Sequence, residues 1–174
     1  MEVIKIKKRI LVMSDTHSAS TIVDKILKQH PDMDLYIHAG DSEMKATWLK
    51  KRFHYFVLGN CDWLESFQEA ITFEFANQRF FLIHGHLHLG FYSKDITHNL
   101  EPHLIKNNAN VVIFGHTHKK LFQISSGRTY LNPGSLLYPR DGSQFGSYAI
   151  LTIENNEIKC NFFECKEKAK RRWF

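Results

Sequence analysis

The sequence predicts an α/β fold built as a two-sheet β-sandwich flanked by helices. Three observations carry that expectation: strand and helix patterns alternate from Arg9 to Asp62, hairpin patterns take over from Ala70, and several apolar runs end in the same kind of polar corner. "RILVMSD" (9–15) reads as a buried strand. "ASTIVDKILKQH" (19–30) then places Ile22, Ile26 and Leu27 on one helical face, and Pro31 stops the helix. "DLYIHAGD" (34–41) is a second strand, "EMKATWLKKR" (43–52) a short helix and "FHYFVLGNCD" (53–62) a third strand. Such strand–helix–strand units cross over right-handedly and give a largely parallel sheet covered by helices.

After Ala70 the period changes. "AITFEFANQRFFLIHG" (70–85) alternates on both sides of Asn77-Gln78, which marks a hairpin turning there. "SKDITHNLEPHLIKNN" (93–108) reads as a helix interrupted by Pro102. "ANVVIFGHTHKKLFQISSGRTYLNPGS" (109–135) holds two or three strands around tight turns, and "GSYAILTIENNEIKCNFFECK" (146–166) is a hairpin across Asn155-Asn156. Parallel units first and antiparallel hairpins later suggest two sheets packed face to face with helices outside.

A chain of 174 residues buries about two thirds of its unfolded surface, so one domain over 1–174 is expected, with a basic tail from about 166. The 43% hydrophobic and 24% charged content places it among globular proteins. Fourteen Phe against nine Gly suggest a thick aromatic core or an aromatic surface kept for a partner. "MEVIKIKKRILVMSD" lacks a small-residue cleavage site, and no run approaches the roughly 18 to 20 apolar residues of a membrane span. Cys61, Cys160 and Cys165 form no disulfide framework, and the last two fall on opposite faces of one strand. These features point to a reduced, cytoplasmic protein without a membrane partner. The formal charge of +5 is concentrated in "KIKKR" and "KEKAKRRWF". It forms no continuous basic and aromatic stripe, so nucleic acid is not the expected partner.

The chemistry lies where the apolar runs stop. They end in Asp15-Thr-His17, Gly40-Asp41, Gly59-Asn60-Cys-Asp62, His84-Gly-His86 and Gly115-His116-Thr-His118. The carboxyl ends of parallel strands share one sheet edge, where ligands bind. Carboxylates gathered there without a cation would repel one another at a cost of several kcal/mol. Carboxylate, amide and imidazole ligands suit Mn²⁺, Fe²⁺, Ni²⁺ or Zn²⁺. There are more candidates than one ordinary site uses, whereas two ions sharing a bridging carboxylate would use them, a known device for in-line phosphoryl hydrolysis.

"SDTH", "GD", "GNCD", "HGH" and "GHTH", followed by "NPGS" at Asn132–Ser135, resemble the calcineurin-like metallophosphoesterases, and most closely their small bacterial and archaeal phosphodiesterase branch. The resemblance covers about Ile10 to Ile153 and implies a four-layer α/β/β/α metallophosphoesterase fold. It implies one metal on Asp15, His17 and His118, a second on Asn60, His84 and His116, and Asp41 as the bridge. Mn²⁺ is the expected pair of ions, with Ni²⁺, Fe²⁺ or Zn²⁺ as alternatives. Small members of the branch are often homo-oligomers. Ser18 stands where much of the family has glycine after "SDTH". A eukaryotic relative that serves as a trafficking scaffold has lost part of the metal-binding set, whereas every position is filled here.

Two further residues are candidates for catalysis. His86 follows His84 by two positions and is placed to contact the phosphate or protonate the leaving group, and Asp62 to assist from beside Asn60. His38, three residues before Asp41, reads either as a satisfied buried imidazole or as a hydrogen-bonding support for the site. The expected substrate is a small phosphodiester. No obvious arginine clamps a dianionic terminus, since Arg128 and Arg140 are only loosely placed, so a phosphomonoester is the weaker enzymatic alternative. A metal-stabilised interaction scaffold is the non-enzymatic one.

Overall fold

The computed structural model describes residues 7–63, 67–89 and 95–168. Its first sheet has the order β10-β9-β1-β2-β3. These strands are β1 (Lys7–Met13), β2 (Leu35–His38), β3 (Tyr55–Phe56), β9 (Phe145–Glu154) and β10 (Glu157–Lys168). The second sheet runs β4-β5-β6-β8-β7. It comprises β4 (Ala70–Phe75), β5 (Gln78–Ile83), β6 (Val111–Ile113), β7 (Lys120–Ser125) and β8 (Arg128–Pro133). Helices α1 (Ser20–Gln29) and α2 (Ala46–Leu49) follow β1 and β2, and α3 (Ile96–Lys106) precedes β6.

Each central strand is apolar on both sides because it has helices on one side and a sheet on the other. Ile10 and Val12 of β1 point between the sheets, where they meet Phe80 and Leu82 of β5, Ile113 of β6 and Leu131 of β8. The alternate residues Leu11 and Met13 point outward onto Val23 and Ile26 of α1 and Leu49 of α2. On the far side Phe81, Val112 and Tyr130 cover Leu100 and Leu104 of α3. Each buried aliphatic side chain in these three layers contributes about 1.5–3 kcal/mol, so Leu82→Ala would remove a contact on which both sheets depend. The aromatic content serves this core: Phe73 stacks on Tyr55 at 4.0 Å and on Phe80 at 4.9 Å.

Both sheets carry a parallel centre. β1 pairs with β2 and β2 with β3 in parallel, and so do β5 with β6 and β6 with β8. Their antiparallel neighbours arrive through the hairpins β4–β5, β7–β8 and β9–β10. The late part of the chain is therefore not simply antiparallel, because the region around α3 makes a crossover between β5 and β6. The first hairpin turns at Ala76-Asn77 rather than Asn77-Gln78, with φ of 50° and 60°, and Gln78 already pairs with Phe75. Twisted strands favour a two-residue turn with positive φ at both positions, and here that preference overrides alanine's dislike of it.

The helices are shorter or deeper than their patterns suggest. Val23 joins Ile26 as the buried residue of α1, with Ile22 and Leu27 partly buried beside them. The expected helix at 43–52 shrinks to four residues, because Ser42–Lys45 go into the loop that follows β2. In α3 the Asp95 carboxylate caps the first turn by accepting from His98 N at 3.0 Å. Pro102 lies on the exposed side of α3, which tolerates the bond it cannot donate. Cys160 packs between the sheets while Cys165 is buried in the layer beneath α1. The expected tail at 166 still forms strand through Lys168, which pairs with Phe145 beyond a bulge, while residues 169–174 lie outside the described residues. Among the described residues no helix is long and apolar enough to cross a membrane.

Candidate metal centre

The parallel strands β1, β2, β3, β5 and β6 end on one edge of the sandwich, and the loops leaving them hold the predicted side chains. The backbone there is bent in an unusual way. Asp15, His17, Asp41, His116 and His118 have φ between 41° and 65°, a left-handed conformation that costs non-glycine residues roughly 1–2 kcal/mol each. Hydrogen bonds between the loops hold it: Asp15 N donates to Gly40 O, His17 N to Asp41 O and Gly115 N to His84 O, at 2.9 to 3.1 Å. Gly59 and Gly115 sit so close to Asp41 and Asp15 that a Cβ on either would overlap the neighbouring carboxylate loop.

Two groups of donor atoms result. In the first, ligand atoms of Asp15, His17, Asp41 and His118 lie within 4.8 Å of one another. His118 Nε2 is 3.0 Å from Asp15 Oδ1, yet that oxygen makes no hydrogen bond, and His17 Nε2 is likewise buried without a partner. Orphaned buried donors of both kinds at one point fit a cation, since each would otherwise forfeit its hydration for nothing. In the second group, Asn60 Oδ1 lies 3.2 Å from His84 Nε2 and 3.0 Å from His116 Nδ1. Asp41 reaches this group as well, with Oδ2 3.4 Å from His84 Nε2.

The imidazoles are aimed by bonds on their other nitrogens. His84 Nδ1 lies 2.7 Å from Ala39 O and His118 Nδ1 2.8 Å from Tyr138 O. A carbonyl oxygen only accepts, so each Nδ1 donates. Burial would lower the His84 pKa, but the Asp41 and Asp15 carboxylates outweigh it and hold it at about 9. His84 therefore carries a proton that a cation would displace. Burial also opposes ionisation of Asp41 and Asp15, but His84 next to Asp41, and His118 and His84 next to Asp15, leave both below the usual carboxylate range. Burial and then the His84 charge push His116 down to about 4, so its ring is neutral.

His86 stands beside these groups, its ring 5.5 Å from His84 and 6.3 Å from His116, with Nδ1 buried and unpartnered. Asp62 is placed differently. Its carboxylate accepts from Ser42 Oγ at 2.9 Å, Glu43 N at 2.7 Å and Gly59 N at 2.9 Å. It braces the loop after β2 against the loop after β3, and these bonds turn it toward loop backbone instead of toward the donor groups. His38 combines its two readings: buried, it accepts from Gly40 N at 3.2 Å and bonds Thr16 Oγ1 at 3.0 Å, which ties together the loops bearing Asp15 and Asp41. Burial pushes its pKa down to about 4.

Other supports had weaker sequence signals. Asn132 Nδ2 donates to Gly115 O at 2.7 Å and to Thr117 Oγ1 at 3.0 Å, and Ser135 Oγ donates to Asp15 O at 2.9 Å. "NPGS" thus clamps the first and last ligand loops, beyond forming a turn. Glu43 Oε1 lies 2.7 Å from His17 Nδ1, and nothing in the spacing of motifs marked it.

Residues 9–156 match the family described as the calcineurin-like phosphoesterase superfamily domain. The chain belongs to that superfamily. The probable metallophosphoesterase YsnB of Bacillus subtilis is 33% identical over 156 residues, covering 89% of this chain and 90% of its own. The crystal structure of a predicted phosphoesterase from Streptococcus pneumoniae superposes with a TM-score of 0.80 at 27% identity, covering 91% of this chain and 90% of that one. A structure described as a novel archaeal phosphodiesterase shares the fold at a TM-score of 0.58 and 23% identity, covering 89% and 99%. A member of the calcineurin-like superfamily with this aspartate and histidine cluster is a hydrolase of phosphoesters that uses divalent metal.

Proposed function

We propose that this calcineurin-like protein is a phosphodiesterase that works with two divalent cations, Mn²⁺ the favoured pair. The observation that carries this reading is Asp41, whose carboxylate belongs to the first donor group and also reaches His84 of the second. Asp15, His17 and His118 would hold one ion, Asn60, His84 and His116 the other, with Asp41 shared. Bound there, the ions would supply Lewis acidity toward the phosphoryl oxygens and lower the pKa of the attacking water.

The remaining steps fall to the chain's own side chains. Cys61 N donates to Asp41 Oδ1 at 2.7 Å and keeps the shared carboxylate facing both groups. His86 has a free ring nitrogen beside the second group, a place from which it can hydrogen-bond the phosphate or give a proton to the departing alkoxide. Asp62 acts by holding the loops that carry Asp41 and Asn60, a supporting role in place of proton transfer.

Most of the described arginines are committed elsewhere. Arg52 is committed to Asp24 and Arg79 to Glu74. Arg128 bonds Glu101 at 2.9 Å, which removes one of the two candidate clamps. Among the described residues Arg140 is the candidate clamp that remains, its backbone N–H donating to His118 O at 2.9 Å, while the archaeal neighbour's phosphodiesterase description favours the diester. The test is steady-state hydrolysis of bis(p-nitrophenyl) phosphate against p-nitrophenyl phosphate after metal is stripped and Mn²⁺ restored. Metal-dependent diester turnover well above monoester turnover is expected. Faster monoester cleavage would move the assignment to a phosphomonoesterase, and absence of both would point to the scaffold reading.

A further inference from the structure

Glu43 lies two residues beyond Asp41, in none of the motifs, on an exposed loop. Its own backbone is left-handed, with φ of 54°, and so is that of His17 at 41° and Ser18 at 65°, the two residues its carboxylate bonds. Three bonds hold this arrangement together. Glu43 N donates to Asp62 Oδ1 at 2.7 Å, Ser18 Oγ donates to Glu43 Oε2 at 3.2 Å, and Glu43 Oε1 lies 2.7 Å from His17 Nδ1. Ser18 N also donates to Ser42 O at 2.9 Å.

We propose that Glu43 is a positioning residue for His17, fixing the tautomer and direction of its imidazole so that Nε2 presents a lone pair to the Asp15–Asp41–His118 group. This inference rests on the two-ion reading above. A carboxylate only accepts hydrogen bonds, so the hydrogen shared with Glu43 sits on His17 Nδ1, and a cation would find its ligand at Nε2. That nitrogen is the buried atom without a partner. His84 and His118 are aimed by backbone carbonyls. At His17 a side chain supplies the acceptor instead. A carboxylate acceptor also raises the basicity of the ring. The Ser18 hydroxyl steadies the second oxygen of Glu43. Asp62, by holding Glu43 N, anchors the far end of the same relay.

The test is calorimetric titration of Mn²⁺ into the metal-stripped full chain, for wild type, Glu43→Ala, Glu43→Gln, His17→Gln and the double variant His17→Gln/Glu43→Ala. Thermal unfolding of each metal-free protein accompanies it. Wild type is expected to take up two equivalents. Glu43→Ala should weaken one of them by about 10- to 100-fold, as loss of an orienting partner does, without changing the metal-free melting temperature. Glu43→Gln, which keeps an acceptor oxygen, should recover most of that loss. With His17 already replaced, removing Glu43 should cost nothing more. The inference is overturned if Glu43→Ala binds both equivalents as wild type does, or if it lowers only the melting temperature. It is equally overturned if the loss persists in the His17→Gln background, because Glu43 would then be a ligand itself. Failure of wild type to take up a second equivalent would sink the two-ion reading instead, a separate outcome.

Discussion

The two ends of the sheets use the same unusual backbone for different purposes. At the edge away from the candidate centre, β4–β5, β7–β8 and β9–β10 are joined by the pairs Ala76-Asn77, Ser126-Gly127 and Asn155-Asn156, all with φ between 50° and 72°. There a left-handed pair is what a two-residue hairpin requires, and the return is local. At the other edge, Asp15, His17, Asp41, His116 and His118 adopt similar angles outside any hairpin. Local turn bonds, Ala19 N to Thr16 O across His17-Ser18 and Thr117 N to Gly115 O across His116, hold part of this backbone, and inter-loop hydrogen bonds, the "NPGS" clamp and the Asp62 brace hold the rest. Strain at the first edge specifies register, and at the second it aims donor atoms at common points.

The comparison can be broken by substitutions at each edge. The largest effect is expected from Asp41→Asn, which weakens the carboxylate that belongs to the first group and lies 3.4 Å from His84 of the second. Phosphoester turnover should fall by more than about 100-fold, beyond the usual loss for an orienting partner, with the metal-free fold retained by circular dichroism. Next come paired glycines. Gly59→Ala drives a Cβ into Asp41 and should cost about 1–3 kcal/mol in urea unfolding together with most of the activity. Gly127→Ala has φ of +72° but open space around it, so it should cost about 1 kcal/mol and leave turnover intact. Equal losses of activity would show that the two edges are not independent.

Relief of hairpin strain is a smaller effect. Ala76→Gly should stabilise the protein by up to about 1 kcal/mol without altering turnover, measured by the denaturant midpoint. The smallest concerns Asp34, at the start of β2 on the edge far from the centre. Burial opposes its ionisation, but Lys8 at 2.6 Å and the Arg9 N–H at 2.8 Å outweigh it and hold the carboxyl below its ordinary range. A folded value below the unfolded one gives stability that is present above about pH 4 and lost as pH falls through the folded value. Asp34→Asn should therefore cost roughly 1 kcal/mol at pH 7, and the gap should close in acid. A gap unchanged at pH 2 would show that the ion pair is not its source.

Much of this was legible because strand ends are marked locally. An apolar run breaking into glycine plus aspartate, asparagine or histidine states both where a strand stops and what its loop offers, and that placed Asp15, Asp41, Asn60, His84 and His116 on one edge. Pairing between distant strands has no such mark, so the insertion of β8 between β6 and β7 was not readable. Neither was the turn at Ala76, since alanine carries no turn signal, nor the carbonyls of Ala39 and Tyr138 that aim two imidazoles, since every residue has one. The sequence marks Asp62 by its position two residues after Asn60, but which way its carboxylate faces depends on Ser42 and Glu43 from another loop.

The proposed centre depends on Asp41 being shared by two cations. Anomalous diffraction from a crystal soaked in Mn²⁺ tests it most directly. Two peaks about 4 Å apart are expected, one among Asp15, His17 and His118 and one among Asn60, His84 and His116, with the Asp41 carboxylate between them. A single peak at saturating Mn²⁺, or two peaks with Asp41 on only one of them, would contradict it.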